Sequence, residues 1–242
     1  MNIAIIFAGG VGKRMKTNGT PKQFLEINNI PIIIHTLSIF EKSKKIDAIV
    51  VACVSSHMEY LKKIVMKYDI SKVVEIVEGG KTGQQSIVNA LKAAQKFNQD
   101  QNNIVLIHDG VRPIIDEKLI NDNINNVIKY GTSISCVPQK ETTIISTNNI
   151  EVEDITVRNE TFIARAPQSF FLKDILDAEE KAFKKNDIDI IDSCSVMRKY
   201  GKYKNPHITI CNSDNLKITT PDDYFIVKAL IDNRNNKSIL GV

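Results

Sequence analysis

Apolar residues fall in short unbroken runs along this chain, and each run stops at glycine, serine or an acid. Residues 3–8 (IAIIFA) stop at Gly9 and Gly10, and 46–54 (IDAIVVACV) stop at Ser55 and Ser56. Residues 72–77 (KVVEIV) end just before Gly79 and Gly80, and 103–107 (NIVLI) end at His108 and Asp109. Continuous Val/Ile runs mark strands covered on both faces, whereas alternation would mark one wet face. Between the runs the spacing turns helical. Pro31 to Glu41 sets Ile33, Ile34, Leu37 and Phe40 on one stripe, and His57 to Tyr68, Gln84 to Phe97 and Glu117 to Tyr130 behave alike. Strands alternating with helices of this length predict an α/β chain with a mostly parallel sheet and helices on both faces. Ligands of such sheets bind beyond the carboxyl ends of the strands. Gly9, Gly10, Gly79, Gly80, Asp109 and Arg112 are therefore expected in one crevice.

The pattern changes after residue 135. Two β-rich runs flank the turn-like "STNN", and residues 139–164 read as a hairpin arm leaving the main sheet. A lone two-stranded hairpin is marginal in water, so the arm needs a surface to pack on, and a second copy of the chain is the simplest. A helix is expected over 173–185 and a strand over 207–211. Another helix should begin at Pro221, with Thr220 as its N-cap. The tail "NRNNKSILGV" reads as loose at first, with its last apolar residues free to dock.

Composition adds bounds. The 242 residues are 43% hydrophobic and 25% charged, which suits one domain over 1–242. The net charge of +4, with both signs mixed along the chain, does not mark a nucleic-acid surface, but fits an anionic small molecule. No stretch approaches the ~20 apolar residues of a membrane span, and Ile3 to Ala8 is too short for a signal-peptide core. Cys53, Cys136, Cys194 and Cys211 lie far apart and form no CxxC pair, so a reduced, cytoplasmic protein is expected.

The first loop, "AGGVGKRM", carries the first chemistry. Gly9, Gly10 and Gly12 allow close backbone approach and positive φ, and free N–H groups there favour anions. A Walker A loop is ruled out, because Phe7 stands where its first glycine belongs and Arg14 follows Lys13 in place of Ser or Thr. A dinucleotide fingerprint is disfavoured by Met15 in place of the third glycine, and by Ser55 and Ser56 in place of an acid. A glycine loop carrying Arg14, then a second cation at Lys22, suits a triphosphate. A plain strand-to-loop turn with solvated charges is the alternative.

"AGGVGKRM" followed by "PKQF", "EGG" with Ser86, "HDGVRP", "VPQKET", "APQSF" and "NLKITTPDD" resemble, in order and nearly end to end, the cytidylyltransferases of sugar-alcohol phosphates. That family includes methylerythritol-phosphate and ribitol-5-phosphate cytidylyltransferases. The resemblance implies a Rossmann-like α/β/α sandwich, of the nucleotide-diphospho-sugar transferase type, whose β-arm makes a homodimer. It implies that CMP passes from CTP to a polyol phosphate, releasing pyrophosphate. The attacking phosphate oxygen is already an anion, so positioning and charge neutralisation are needed rather than a general base. By the resemblance, Arg14, Lys22 and Lys217 hold the phosphates and the reacting phosphorus. Ala8, Gly9, Gly80 and Ser86 read cytosine, with Gly10, Gly12 and Gly79 completing the nucleotide loops. Asp109 faces the acceptor, Arg112 faces the acceptor or pairs with Asp109, and Thr142 and Arg158 reach the acceptor from the partner's arm. Mg²⁺ bridges the phosphates, with Asp109 the nearest protein carboxylate.

Three positions depart from the family pattern. Gly83 stands where many members carry arginine, Ala166 where many carry threonine, and Ile191 where threonine usually precedes the acid. They leave base and acceptor choice open. "AGG" rather than "AAG" leans toward D-ribitol 5-phosphate. The runner-up is 2-C-methyl-D-erythritol 4-phosphate, and an inactive nucleotide-binding homologue is the distant alternative.

Overall fold

The computed structural model describes residues 1–9 and 19–240, without the side chains of 235 and 237–240. In chain order the elements are β1 (Asn2–Ala8), β2 (Glu26–Ile27), β3 (Ile30–Pro31), α1 (Ile32–Lys42), β4 (Ala48–Cys53), α2 (Met58–Lys67), β5 (Val73–Glu78), α3 (Gly83–Phe97) and β6 (Ile104–Asp109). Then follow α4 (Glu117–Tyr130), β7 (Thr132–Pro138), β8 (Ile144–Ile145), β9 (Asp154–Ile155), β10 (Phe162–Phe171), α5 (Leu172–Lys184), α6 (Ser193–Tyr200), β11 (Ile208–Ile210) and α7 (Pro221–Leu240).

Seven strands form one sheet in the order β11-β7-β10-β6-β1-β4-β5. Only β10 runs antiparallel to its neighbours, β6 and β7. The period-two alternation of a strand sends its side chains to opposite faces. Accordingly Ala4, Ile6 and Ala8 join Ile49 and Val51 under α1, α2 and α4. Ile3 and Ile5 join Ala48, Val50 and Ala52 under α3, α5 and α6. Two dry cores on one sheet explain why the runs are apolar without alternation. The chain passes from β1 to β4 on one side and returns to β6 on the other. This reversal opens a crevice at the carboxyl ends of β1, β4 and β6.

Side-chain caps fix the helices that border the crevice. Thr82 Oγ1 accepts from Gln85 N (3.1 Å) at the start of α3. Asp192 Oδ1 accepts from Ser195 N (2.7 Å) at the start of α6. At α7, Asp223 Oδ2 accepts from the N–H groups of Thr219 and Thr220, each at 2.8 Å. The expected Thr220 cap is the weaker partner of this reciprocal pair, at 3.4 Å.

The structure corrects the expected organisation in three places. The tail is not loose through residue 240, since α7 continues to Leu240. β7 and the second half of β10 are sheet strands that their polar content conceals. Ser133, Ser135 and Ser169 are buried there and satisfied by Thr209, Pro167 O and Asn123. Within the segment read as an arm, the outer ladder is only the two-residue strands β8 and β9, rooted where Phe162 pairs with Pro138.

Candidate active site

A cavity of about 690 Å³ fills the crevice. Ala8 and Gly9 at the end of β1, Gly79 to Gly83 after β5, Asp109 at the end of β6, and Lys22 and Lys217 line it. The "PKQF" stretch is a 3-10 turn held against β1, because Gln23 Nε2 donates to Ala8 O (2.6 Å) and Gln23 is buried. From this turn Lys22 Nζ donates to Ile218 O (2.9 Å). Ile218 N in turn donates to Val111 O (3.0 Å). Three distant segments are thus tied at one wall, and Lys22 and Lys217 meet there.

Asp109 organises that wall. Arg112 Nε donates to its Oδ2 (2.7 Å), and the Lys217 ammonium pairs with its Oδ1. Arg112 Nη1 also donates to Asn215 O (3.0 Å). Burial alone would raise the Asp109 pKa, but Lys217 and Arg112 outweigh it and hold the carboxyl well below the usual carboxylate range. The carboxylate stays charged, and its two cations stay in fixed places. His108 is buried behind it, against Phe40 (5.2 Å between rings), with Nε2 on Arg112 O (3.1 Å). Burial pushes the imidazole down to about 4, so it is neutral and supports the loop.

Close packing, not positive φ, dictates Gly9, Gly79 and Gly80. A Cβ on Gly9 would lie 2.7 Å from Ser86 Oγ, and one on Gly80 would overlap Gln85 Cγ at 1.8 Å. Ser86 Oγ accepts from Gly80 N (2.9 Å) and donates to Thr82 O (3.0 Å). It therefore holds the loop over the start of α3, with one lone pair left.

A side cavity of about 280 Å³ shares Gly83, Asp109 and Lys217 with the main one and adds Arg112, Arg165 and Ser193. Gly83, Ala166 and Ile191, the three departures, all line it. A side chain at 83 would meet open space. Arg165, Gln168 and Ser193 escaped the sequence reading. The charge of Arg165 inside the apolar "FIARAPQSF" was the available signal.

The remaining expectations divide. Thr142 and Arg158 are exposed on the arm and line neither cavity within the chain. Gly10, Gly12 and Arg14 lie outside the described residues. No cluster of three or more His, Cys, Asp or Glu able to hold a metal occurs among the described residues. Among the described residues, Asp109 is the one buried carboxylate of the main cavity. A single carboxylate beside phosphate oxygens is a donor set that magnesium takes.

The chain matches a family model described as "IspD: 2-C-methyl-D-erythritol 4-phosphate cytidylyltransferase" over residues 2–233. It is 48% identical over 242 residues to a ribitol-5-phosphate cytidylyltransferase of Vibrio parahaemolyticus, covering 100% of both chains. It is 37% identical over 231 residues to a 2-C-methyl-D-erythritol 4-phosphate cytidylyltransferase of Clostridium botulinum, covering 96% of this chain and 97% of that one. Among solved structures, 4-diphosphocytidyl-2C-methyl-D-erythritol synthase of Anaerococcus prevotii superimposes with a TM-score of 0.82 at 26% identity, covering 96% of each chain.

Proposed function

Since the chain belongs to the 2-C-methyl-D-erythritol 4-phosphate cytidylyltransferase family, and is therefore a nucleotidyltransferase, we propose that it transfers CMP from CTP to D-ribitol 5-phosphate. An oxygen of the acceptor phosphate bonds to the α-phosphorus, the bond to the β-phosphate oxygen breaks, and pyrophosphate leaves. The observation that carries the chemistry is the meeting of Lys22 and Lys217 on one cavity wall. Two anions must approach each other there, and fixed cations lower that barrier without a general base. Asp109 and Arg112 hold Lys217 in place. Each Asp109 oxygen keeps lone pairs for acceptor hydroxyls. Ser86 has one lone pair to accept from the cytosine amino group. Arg14 would add a further cation to the triphosphate.

Magnesium, when bound, would neutralise charge across the phosphate oxygens, with Asp109 as the protein carboxylate at hand. The choice of acceptor is supported by 48% identity to a ribitol-type relative against 37% to a methylerythritol-type one. The three departures lining the side cavity agree with an acceptor unlike the one named by the family model.

The arm supports a homodimer. Ile144, Ile145, Ile150, Val152, Ile155 and Val157 are all exposed on it, with Ile150 at 87%. An apolar patch of this kind marks an interface. In the dimer, Thr142 and Arg158 would enter the partner's cavity. Four unpaired cysteines suit the cytoplasm. No helix among the described residues is long and apolar enough to cross a membrane.

The test is pyrophosphate release across CTP, UTP, ATP and GTP, each paired with D-ribitol 5-phosphate or 2-C-methyl-D-erythritol 4-phosphate. CTP with ribitol 5-phosphate should give the highest kcat/KM. A higher value for the methylerythritol acceptor would overturn the acceptor, and one for another nucleotide would overturn the base.

A further inference from the structure

We infer that Arg165 binds the phosphate of the acceptor from within its own chain, an inference resting on the proposed transfer to an alditol phosphate. Arg165 sits where β10 slips against β7. Ala164 pairs with Cys136 while Gln168 pairs with Ile134, so four steps on one strand face two on the other. Such a bulge takes side chains out of the ladder and re-aims them. Arg165 lines the side cavity with Arg112 and Lys217. Its opposite flank lines a further cavity of about 350 Å³ that includes Lys140 and Cys211.

Arg112 and Arg165 differ in what balances them. Arg112 is buried, but Asp109 and the Asn215 carbonyl occupy its donors. Arg165 is half-buried, and its Nε is buried with no hydrogen-bond partner. Among the described residues it enters no ion pair. Burial first, and Arg112 second, push its pKa down from the usual value, against smaller opposing pulls from Cys211 and Asp223. A desolvated guanidinium without an anion is costly, and an anion arriving there recovers that cost. Phosphate suits the planar fork of donors better than any neutral hydroxyl.

The location selects the acceptor over the nucleotide. The side cavity opens onto the main one at Asp109 and Lys217, where the attacking phosphate must meet the α-phosphorus. Nucleotide phosphates have Lys22 on the main cavity wall. Arg165 stands on the acceptor's side of that junction.

The experiment is steady-state pyrophosphate release by the full chain, with CTP and D-ribitol 5-phosphate varied separately. A charged hydrogen bond contributes ~1.5–3 kcal/mol, so Arg165→Gln should raise the acceptor KM ~10–100-fold. The CTP KM should stay within about twofold. Arg165→Lys, which keeps the charge and tests the same site if the first variant folds poorly, should give an intermediate acceptor KM. A merely structural arginine would lower kcat and shift both KM values together with the melting temperature. Wild-type turnover with an unchanged acceptor KM in both variants would overturn this inference alone. Absence of wild-type turnover with every alditol phosphate would overturn the proposed reaction, and this inference with it.

Discussion

At the scale of single residues, the site depends on where its cations are fixed. Lys22 is bound to a carbonyl 196 positions away, at Ile218, next to Lys217. Lys22→Ala should cut kcat/KM ~100–1,000-fold, the size seen for loss of one transition-state donor. Removing its hydrogen bond to Ile218 O should cost about 1 kcal/mol of stability. Kinetics and thermal melting of the same preparation check this, and equal losses in both would make Lys22 structural. Much of this site is legible in the sequence because strand ends are punctuated. Gly9, Gly79, Gly80 and Asp109 stand at the ends of apolar runs, and all four line one cavity. The reason for the described glycines is less legible. Gln85 crowds Gly80 locally, whereas Ser86 crowds Gly9 across the fold from α3. Arg165 escapes notice because its environment depends on a register slip between β10 and β7.

At the scale of elements, a buried carboxylate ties three pieces of the side wall together. Glu179 of α5 accepts from Gln84 Nε2 of α3 (2.8 Å), and Gln84 Oε1 accepts from the backbone N of Ile190 (3.1 Å). Burial pushes Glu179 up to about 7, against the opposing hydrogen bond from Gln84. Its pKa is higher folded than unfolded, so its contribution is complete below about 4.5 and is lost as pH rises through about 7. Glu179→Gln should flatten the fall in stability between those values, by about 1.4 kcal/mol for each pH unit removed. Denaturant melts at pH 5 and pH 8 check it, and an unchanged slope in the variant would contradict it. β1, β4 and β6 are legible because they lie between two dry cores, whereas the edge strand β5 is legible from its Val/Ile run despite the exposed Glu75 and Glu78. β7 is concealed because its buried serines are paid for by partners on other elements, such as Asn123 and Pro167. α7 runs past its expected end, since propensity in "NRNNK" says little about packing.

At the scale of the whole molecule, one chain presents a main cavity, a side cavity and an arm whose apolar surface is uncovered. Thr142 and Arg158 ride on that arm and reach neither cavity of their own chain. If the partner's arm completes each site, Lys22→Ala and Arg158→Ala chains, each weak alone, should recover activity when mixed and allowed to exchange. A mixed dimer would hold one site with both residues intact, up to about a quarter of wild-type activity per mixture by random pairing. No recovery despite demonstrated exchange would place Arg158 outside the site. What covers the arm is the part least accessible to sequence, because exposed isoleucines in a short hairpin state only that something must pack on them.

The central claim is that cations gathered from distant segments promote direct displacement at the α-phosphorus, with no covalent link to the protein. The configuration at that phosphorus, read after transfer from one diastereomer of the α-thio analogue of CTP to D-ribitol 5-phosphate, tests it most directly. A single in-line step predicts inversion. Retention would require two displacements through a protein nucleophile, and would contradict the account.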